Sequence, residues 1–336
     1  MVLNIFLLAL GIALLIVGGN WFVSSAIDFG KKTKIPSIIV GATIVSIATT
    51  LPELLVSTIS AAKGSFGLSI GNAAGSVICN TALIAGLSMA FMPTVIKEKD
   101  NPAKYIILIV STVLLFQFSV SINGSYVILW YEALLLLAVF ALFMTMNIVE
   151  AKRASELMRL EQLKKKKKQL PVEDTKNLKW WKIILFFILG AGGVAGGAIL
   201  TVNNAEEIAR AIGISETFIG LTIAAIGTSL PELTSTIISI KKKNSEIGYG
   251  NIIGANILNI TLVTGLSGVI SGSTGLSISA LTLFVSLPFV ILISLIFLLP
   301  IMLKKRTYRW QGITLLTFYA GYMAYLIIAT IKGLAV

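Results

Sequence analysis

The sequence lacks histidine, contains one cysteine and carries little charge. Without histidine the chain has neither the commonest zinc ligand nor the side chain that titrates near neutral pH, so proton chemistry would fall to carboxylates. The lone cysteine, Cys79, excludes an intramolecular disulfide. Charged residues make up 12% of the 336 residues and apolar residues 56%. That balance is too apolar for a soluble domain of this size and predicts a polytopic membrane protein.

Ten segments are long and apolar enough, or nearly so, to cross a membrane as helices of about 20 residues. They lie at residues 3–23, 35–61, 67–92, 104–120, 125–149, 181–203, 214–240, 247–270, 276–303 and 310–331. The sequence therefore predicts an all-α polytopic membrane protein with ten transmembrane helices. We expect the first segment to be retained, because no small-residue cleavage site of a signal peptide follows it.

The basic residues predict the orientation of these helices. If the N-terminus lies outside, all but three of the 27 Lys and Arg residues fall in cytoplasmic loops, the exceptions being Lys63, Arg210 and Lys332. Those loops are 24–34, 93–104, 150–182, 241–246 and 304–309. This asymmetry follows the positive-inside rule and predicts that both termini lie outside. The net charge of +12 therefore reflects topology and does not indicate nucleic-acid binding.

Two acidic motifs reveal an internal duplication. Thr49-Thr50-Leu51-Pro52-Glu53 and Thr228-Ser229-Leu230-Pro231-Glu232 lie 179 residues apart. The same offset, without a gap, pairs Gly41 with Gly220, Gly71 with Gly250, Asn72 with Asn251, Gly75 with Gly254 and Asn80 with Asn259. The copies are five spans apart, and an odd number of crossings reverses direction, which is typical of transporters built from inverted repeats. We expect two five-helix repeats, 1–149 and an inverted 181–336, joined by a basic cytoplasmic connector at 150–180.

The connector contains five consecutive lysines, Lys164 to Lys168. A charge run of this kind is usually a solvated segment that also anchors the orientation. The alternative is a contact between these lysines and anionic lipid.

Each acidic motif predicts a cation site at membrane depth. A carboxylate in a transmembrane segment is costly, and no span contains a basic partner for Glu53 or Glu232 near its centre. Pro52 and Pro231 lack the backbone donor, so each frees a carbonyl four residues earlier, beside the hydroxyls of the same motif. An all-oxygen cluster suits a hard cation. Two glutamates match one calcium ion or two sodium ions, and a carrier that closes only when this charge is compensated is an antiporter.

The second motif of each copy is rich in glycine. Its polar residues Ser76, Asn80 and Asn259 can place side-chain oxygens opposite the glutamates. The alternative is that the glycine pattern serves only the close packing of helices.

Taken together, these motifs resemble the two alpha-repeats of the cation/calcium antiporter superfamily, and they are most similar to its prokaryotic sodium/calcium exchangers. The resemblance implies a calcium site formed by the carboxylates of Glu53 and Glu232 and the carbonyls of Thr49 and Thr228. It also implies flanking sodium sites, with Asn80 and Asn259 lining the centre. The sodium ligands would be the hydroxyls of Thr50, Ser76 and Ser229 and the carbonyls of Ser46 and Ala225.

The resemblance further implies exchange of sodium for calcium across a prokaryotic cytoplasmic membrane by alternating access, in which the first and sixth spans slide across the other helices. Calcium and sodium would be transported ions, with no resident cofactor and no obligate protein partner. Three positions depart from the family pattern. Ala255 replaces a serine, which removes a sodium ligand. Asn259 stands where potassium-dependent members have an acid, and Ala48 pairs with a glycine, Gly227.

Three other functions are compatible with parts of the sequence. A proton/calcium antiporter, or one for another divalent cation, could use the same glutamates and release ions on protonation. A channel is disfavoured by the inverted duplication and by a carboxylate pair that needs compensation. An intramembrane enzyme is disfavoured because no Ser, His and Asp set or metal-ligand spacing accompanies the glutamates.

Overall fold

The computed structural model describes residues 1–95, 102–120, 126–167, 178–212 and 225–331. The fold is all-α, as predicted. Its helices are α1 (Val2–Thr33), α2 (Ser37–Ala62), α3 (Phe66–Phe91), α4 (Ala103–Ser119), α5 (Trp130–Lys167), α6 (Trp180–Ala211), α7 in two pieces (Ala225–Thr228 and Leu230–Lys241), α8 (Ser245–Ile270), α9 (Thr282–Lys304) and α10 (Arg309–Ile331).

Within the described residues, ten helices correspond to the ten predicted spans, and eight of them are long and apolar enough to cross a membrane. The two others are α4, which has 17 residues and matches the shortest predicted span, and α7. The predicted span of α7 begins at residue 214, and residues 214–224 lie outside the described part of the chain.

The central helices are α3 and α8. In their apolar stretches 72% and 83% of residues are buried, against 22% in α1 and 17% in α10. Both central helices contain a π-helical turn that begins at or next to a repeated asparagine. These turns are Cys79–Ala85, which includes Asn80, and Asn259–Val263. Because π turns inside α-helices occur frequently at functional sites, they mark the middle of the bundle as the place to search for one.

Helix α1 is longer than its predicted span. It continues to Thr33, ten residues beyond the predicted end, and stops where Lys34 adopts a left-handed conformation with φ of 62°. Its 32 residues correspond to about 48 Å, well beyond the roughly 30 Å of the hydrocarbon layer. Helix α6 has the same length and packs along α1, and Gly18 and Gly193 allow the two backbones to approach closely.

Helix α5 corrects the predicted boundaries of the fifth span and of the connector. The span was expected at 125–149, but the helix begins at Trp130 and continues to Lys167. Residues 150–167 contain no glycine or proline and consist mainly of Ala, Glu, Leu, Lys and Arg, which favour helix. Much of the predicted connector is therefore helical. Lys164 is exposed on this helix, whereas Lys168 lies outside the described residues.

A short antiparallel pair of strands was not predicted. Strand β1 (Val127–Ile128) pairs with β2 (Leu276–Ser277), with Val127 opposite Ser277. The ninth span, expected to begin at 276, therefore begins with a strand, and its π-helical turn starts at Thr282. The two strands join loops that the charge asymmetry places on the outer side.

At the opposite end of the bundle, Thr94 and Thr307 join two loops that were both predicted to be cytoplasmic. The Thr94 amide donates to Thr307 Oγ1 at 2.7 Å, and the Thr307 amide donates to Thr94 O at 2.9 Å. Both the pairing of β1 with β2 and the contact of Thr94 with Thr307 thus connect loops that the predicted topology puts on the same side of the membrane.

Glycines bring α8 into backbone contact with α2. A Cβ atom at Gly250 would overlap the Ile38 carbonyl oxygen, and one at Gly254 would lie 2.5 Å from the Ala42 carbonyl oxygen. In the reverse direction, a Cβ at Gly41 would overlap the Ile247 carbonyl oxygen. Glycine at these positions therefore serves close packing, as the simpler interpretation of the pattern proposed. This packing sets the position of α8 relative to the first acidic motif.

Candidate ion-binding site

The structure brings the two acidic motifs together inside the bundle. Glu53 on α2 and Glu232 on α7 are both fully buried, and the motifs that carry them line one small cavity. Within the described residues, none of the four carboxylate oxygens has a hydrogen-bond partner. A buried carboxylate without a partner is costly, and two close together are more so. A positive charge bound between them would lower this cost.

The backbone around the two prolines differs between the copies. Pro52 lies inside the continuous α-helical part of α2, Ser46–Ala62, which follows a π-helical turn at Gly41–Val45. In α7 the helix breaks at Ser229 and resumes at Leu230, which places Pro231 in the first turn of a new helix. A proline there removes no helical hydrogen bond, since that amide would have no partner. The predicted loosening of the turn is thus a helix break in the second copy only.

Most of the other predicted ligands are buried and unpaired polar atoms on α2, on α7 and on the two helices packed against them, α3 and α8. The hydroxyls of Thr50, Ser76 and Ser229 have no hydrogen-bond partner in the described part of the chain. The same holds for both amide atoms of Asn80 and of Asn259. Native interiors rarely leave buried polar atoms unpaired, so these atoms are candidates for binding a ligand.

The remaining predicted ligands are backbone carbonyls on the same two helices. Ser46 is buried, and its hydroxyl donates to Thr43 O at 3.0 Å. Thr228 is partly buried, and Ala225 begins the first piece of α7. Thr49 is buried, and its hydroxyl has a partner on another helix.

That partner, Asn251, was recognised in the sequence as a repeated position but not as a site residue. The Thr49 hydroxyl lies 3.1 Å from Asn251 Oδ1 and 3.3 Å from Ser46 O, so the amide is the nearer acceptor. Asn251 Nδ2 in turn donates to Ser235 Oγ at 2.8 Å. Ser235 Oγ donates to the Glu232 carbonyl oxygen at 3.0 Å. The sequence signal that could have identified Asn251 is its pairing with Asn72 at the common offset of 179 residues.

Asn72, the counterpart of Asn251, makes different bonds. Its Nδ2 donates to the Glu53 carbonyl oxygen at 3.2 Å and to Ser57 Oγ at 2.9 Å. Both partners belong to the first copy. The asparagine of each copy thus supports the backbone of its own glutamate, directly or through a serine, but Asn251 also contacts the other copy.

A small cavity touches both motifs. It has a volume of about 10 Å³ and is lined by Ala48, Thr49 and Pro52 of α2, by Pro231 of α7, and by residues of α1 and α6. This is about the space that one water molecule needs.

A larger cavity of about 580 Å³ lies between α2 and α5, and neither Glu53 nor Glu232 lines it. In the described chain, no cluster of three or more His, Cys, Asp or Glu side chains could hold a metal.

The sodium/calcium exchanger protein family matches two stretches of the chain, residues 3–149 and 182–328. The chain belongs to the sodium/calcium exchanger family. It is similar to the sodium/calcium exchanger MaX1 of Methanosarcina acetivorans, with 30% identity over 346 residues that cover 96% of this chain and 98% of the relative. It is also similar to the inner membrane protein YrbG of Escherichia coli, with 32% identity over 277 residues and 81% of each chain covered.

The fold is shared with solved structures of this family. The sodium-calcium exchanger NCX_Mj, soaked with sodium and strontium, superposes with a TM-score of 0.80 at 27% identity, covering 96% of this chain and 98% of that one. The protein is therefore an integral membrane protein of a transporter family.

The three departures from the family pattern occupy defined places. Ala255 and Asn259 are fully buried on α8. Ala48 is partly buried and lines the small cavity, so the bundle accommodates its methyl group. At the equivalent Gly227 a Cβ atom would overlap the Val202 side chain of α6. In the second copy the Val202 side chain thus occupies the space that a methyl group at position 227 would need.

Proposed function

We propose that this chain is a secondary antiporter that exchanges sodium for calcium across a prokaryotic cytoplasmic membrane by alternating access. The observation that carries the proposal is the buried pair of Glu53 and Glu232, one from each copy, whose carboxylate oxygens lack partners in the described residues. Their combined charge of −2 is compensated by one calcium ion or by two sodium ions. An empty site would leave both charges in a low dielectric, so closure with ions bound is favoured.

We propose that calcium binds between the two carboxylates with the carbonyls of Thr49 and Thr228. The sodium ligands are taken from the surrounding hydroxyls and carbonyls, with Asn80 and Asn259 lining the centre. They are Ser46, Thr50, Ser76, Ala225 and Ser229. Calcium accepts six to eight oxygen ligands in flexible geometry, and this set offers carboxylate, carbonyl and hydroxyl oxygens. The unpaired hydroxyls of Thr50, Ser76 and Ser229 support the assignment.

We also propose that residues 1–149 and 181–336 are inverted five-helix repeats with both termini outside, and that the first and sixth spans slide across the other helices. The two separate family matches, 3–149 and 182–328, support this division. The peripheral pair of α1 and α6 is suited to sliding as a unit, because glycines let their backbones touch. A Cβ atom at Gly193, for example, would lie 3.1 Å from Gly18 Cα.

Inside-out vesicles that contain the protein test the proposed coupling. Vesicles loaded with sodium should take up labelled calcium when diluted into sodium-free buffer, and dissipating a pH gradient should leave the rate unchanged. Empty vesicles provide the background. Uptake that is driven by a pH gradient and indifferent to sodium would instead establish a proton/calcium antiporter. A single-channel conductance for calcium in planar bilayers would establish a channel.

Restoring a hydroxyl at position 255 should strengthen sodium binding. For Ala255→Ser we expect the sodium concentration that halves calcium uptake to fall about 2- to 10-fold, since one added hydrogen-bonding or ligand group contributes about 0.5–1.5 kcal/mol. The matched control is Ala255→Cys, which has a similar volume but no hard oxygen ligand and should not lower that concentration. An unchanged sodium half-inhibition in Ala255→Ser would show that position 255 does not face the sodium site.

A further inference from the structure

We infer that Asn251 is a positioning residue that holds ligands from both copies of the proposed site at a fixed separation. The inference rests on the proposed function, because it assigns a role within that same site. Asn251 accepts from the Thr49 hydroxyl of the first copy at 3.1 Å and donates to Ser235 of the second copy at 2.8 Å. Thr49 and Glu232 both supply proposed calcium ligands. One amide therefore connects the two halves of the calcium site.

The orientation of this amide follows from the hydrogens available to its neighbours. Ser235 has one hydroxyl hydrogen, and its geometry directs it to the Glu232 carbonyl oxygen at 3.0 Å. Ser235 can therefore only accept from Asn251, which requires the NH₂ group on that side. The carbonyl oxygen of the amide must then face Thr49. In this orientation the hydroxyl hydrogens of Thr49 and Ser235 and one amide hydrogen of Asn251 are used, in the order Thr49, Asn251, Ser235, Glu232.

Burial makes this chain of bonds costly to break. Asn251 and Ser235 are fully buried, and Thr49 is 3% exposed. Loss of the Thr49 hydroxyl would leave Asn251 Oδ1 without its partner in the interior, whereas the Thr49 hydroxyl has a second acceptor in Ser46 O at 3.3 Å. The packing of α8 on α2 at Gly250 and Gly254 holds Asn251 within reach of Thr49. Two features thus set the separation of the acidic motifs. One is the backbone contact of α8 with α2, and the other is the pair of hydrogen bonds that the Asn251 amide makes.

Asn72 shows that the role is specific to the second copy. It bonds to Glu53 O and to Ser57, both within its own half. In the described chain, no bond from Asn72 reaches Thr228, the counterpart of Thr49. The two asparagines are identical in type and in register, but only Asn251 joins the halves.

Loss of the Asn251 bond should weaken calcium binding more than it slows turnover. Calcium needs several oxygens at 2.3–2.6 Å at the same time, so ligands that drift apart lower its affinity. The Glu53 and Glu232 carboxylates remain, so a loaded site is still electrically compensated. We expect Asn251→Ala and Thr49→Val each to raise the KM for calcium about 10-fold, with the maximal rate within about twofold of wild type. Thr49→Ser keeps the hydroxyl and should restore the wild-type KM.

A double-mutant cycle in proteoliposomes separates this role from general structural damage. Because Asn251 and Thr49 share one bond, Asn251→Ala with Thr49→Val should raise the KM no further than either change alone. The matched control is Asn72→Ala with Thr49→Val, whose effects on the KM should multiply because those residues share no bond. Calcium titration of the purified variants gives the same comparison without transport.

Three outcomes would contradict the inference. Multiplicative effects for Asn251 with Thr49 would show that the two do not act through one bond. A reduced maximal rate with an unchanged KM would indicate a merely structural role. If Asn251→Ala does not fold, as judged by size exclusion, the pair Thr49→Val and Thr49→Ser decides the matter, and equal KM values for the two overturn the inference. Wild-type protein without sodium-driven exchange overturns the proposed function itself, whereas wild-type exchange with a multiplicative cycle overturns only the role of Asn251.

Discussion

Replacing Glu53 or Glu232 by glutamine should reduce calcium exchange to background while the protein remains folded in the membrane. Glutamine keeps the shape of the side chain but removes one of the two charges that compensate the cation. An uncompensated charge in a buried site costs several kcal/mol, which corresponds to a loss of affinity of about 100-fold or more. Labelled calcium uptake into sodium-loaded vesicles measures the effect.

The folded state should tolerate this change because neither carboxylate makes a hydrogen bond within the described residues. Without ions, removing one of two buried and mutually repelling charges should leave the unfolding temperature unchanged or raise it. The matched control is Glu156→Gln, an exposed glutamate on the part of α5 beyond its apolar stretch, which should transport calcium like wild type. Wild-type transport by either Glu53→Gln or Glu232→Gln would contradict a shared site.

Much of the fold is predictable because hydropathy and charge act locally. Ten apolar stretches and the distribution of lysine and arginine predict the spans, and the structure confirms the helices. The errors lie at the ends of helices. α5 continues to Lys167 because helix-forming residues follow its apolar part, and a window for apolar spans does not count them. Residues 276 and 277 border the ninth apolar stretch, but they pair with β1, a contact between segments distant in sequence.

The candidate site was also predictable only in part. The glutamates could be found from the sequence because a carboxylate inside an apolar span is costly and is therefore rare outside functional sites. The role of Asn251 could not be found from the sequence, because its counterpart Asn72 has the same residue type at the equivalent position. What distinguishes them is the helix that packs against each, and this depends on tertiary contacts such as Gly250 against Ile38. The two copies are thus alike in sequence at this position but differ in the contacts that they make in the structure.

Replacing Gly250 by alanine should destabilise the protein and impair transport together. The added Cβ would overlap the Ile38 carbonyl oxygen and lie 3.1 Å from the Ala42 amide nitrogen. Both are backbone atoms of α2, so they cannot rotate away as a side chain would. Overpacking of this kind costs about 1–3 kcal/mol. Thermal unfolding in detergent should show a lower midpoint than wild type, and calcium uptake should fall because α8 carries Asn251 away from Thr49.

The control for Gly250→Ala is the same substitution on another helix. At Gly321 of α10 a new Cβ would meet no atom of the described residues within 4 Å. Alanine favours helix over glycine by up to about 1 kcal/mol, so Gly321→Ala should be as stable as wild type or more so. If Gly250→Ala behaved like Gly321→Ala, the backbone contact of α8 with α2 would not be as tight as described. If Gly250→Ala lost stability but kept the wild-type KM for calcium, that contact would not control the distance between Asn251 and Thr49. Only a loss of both stability and calcium affinity would support the conclusion that the packing of α8 on α2 also positions the calcium ligands.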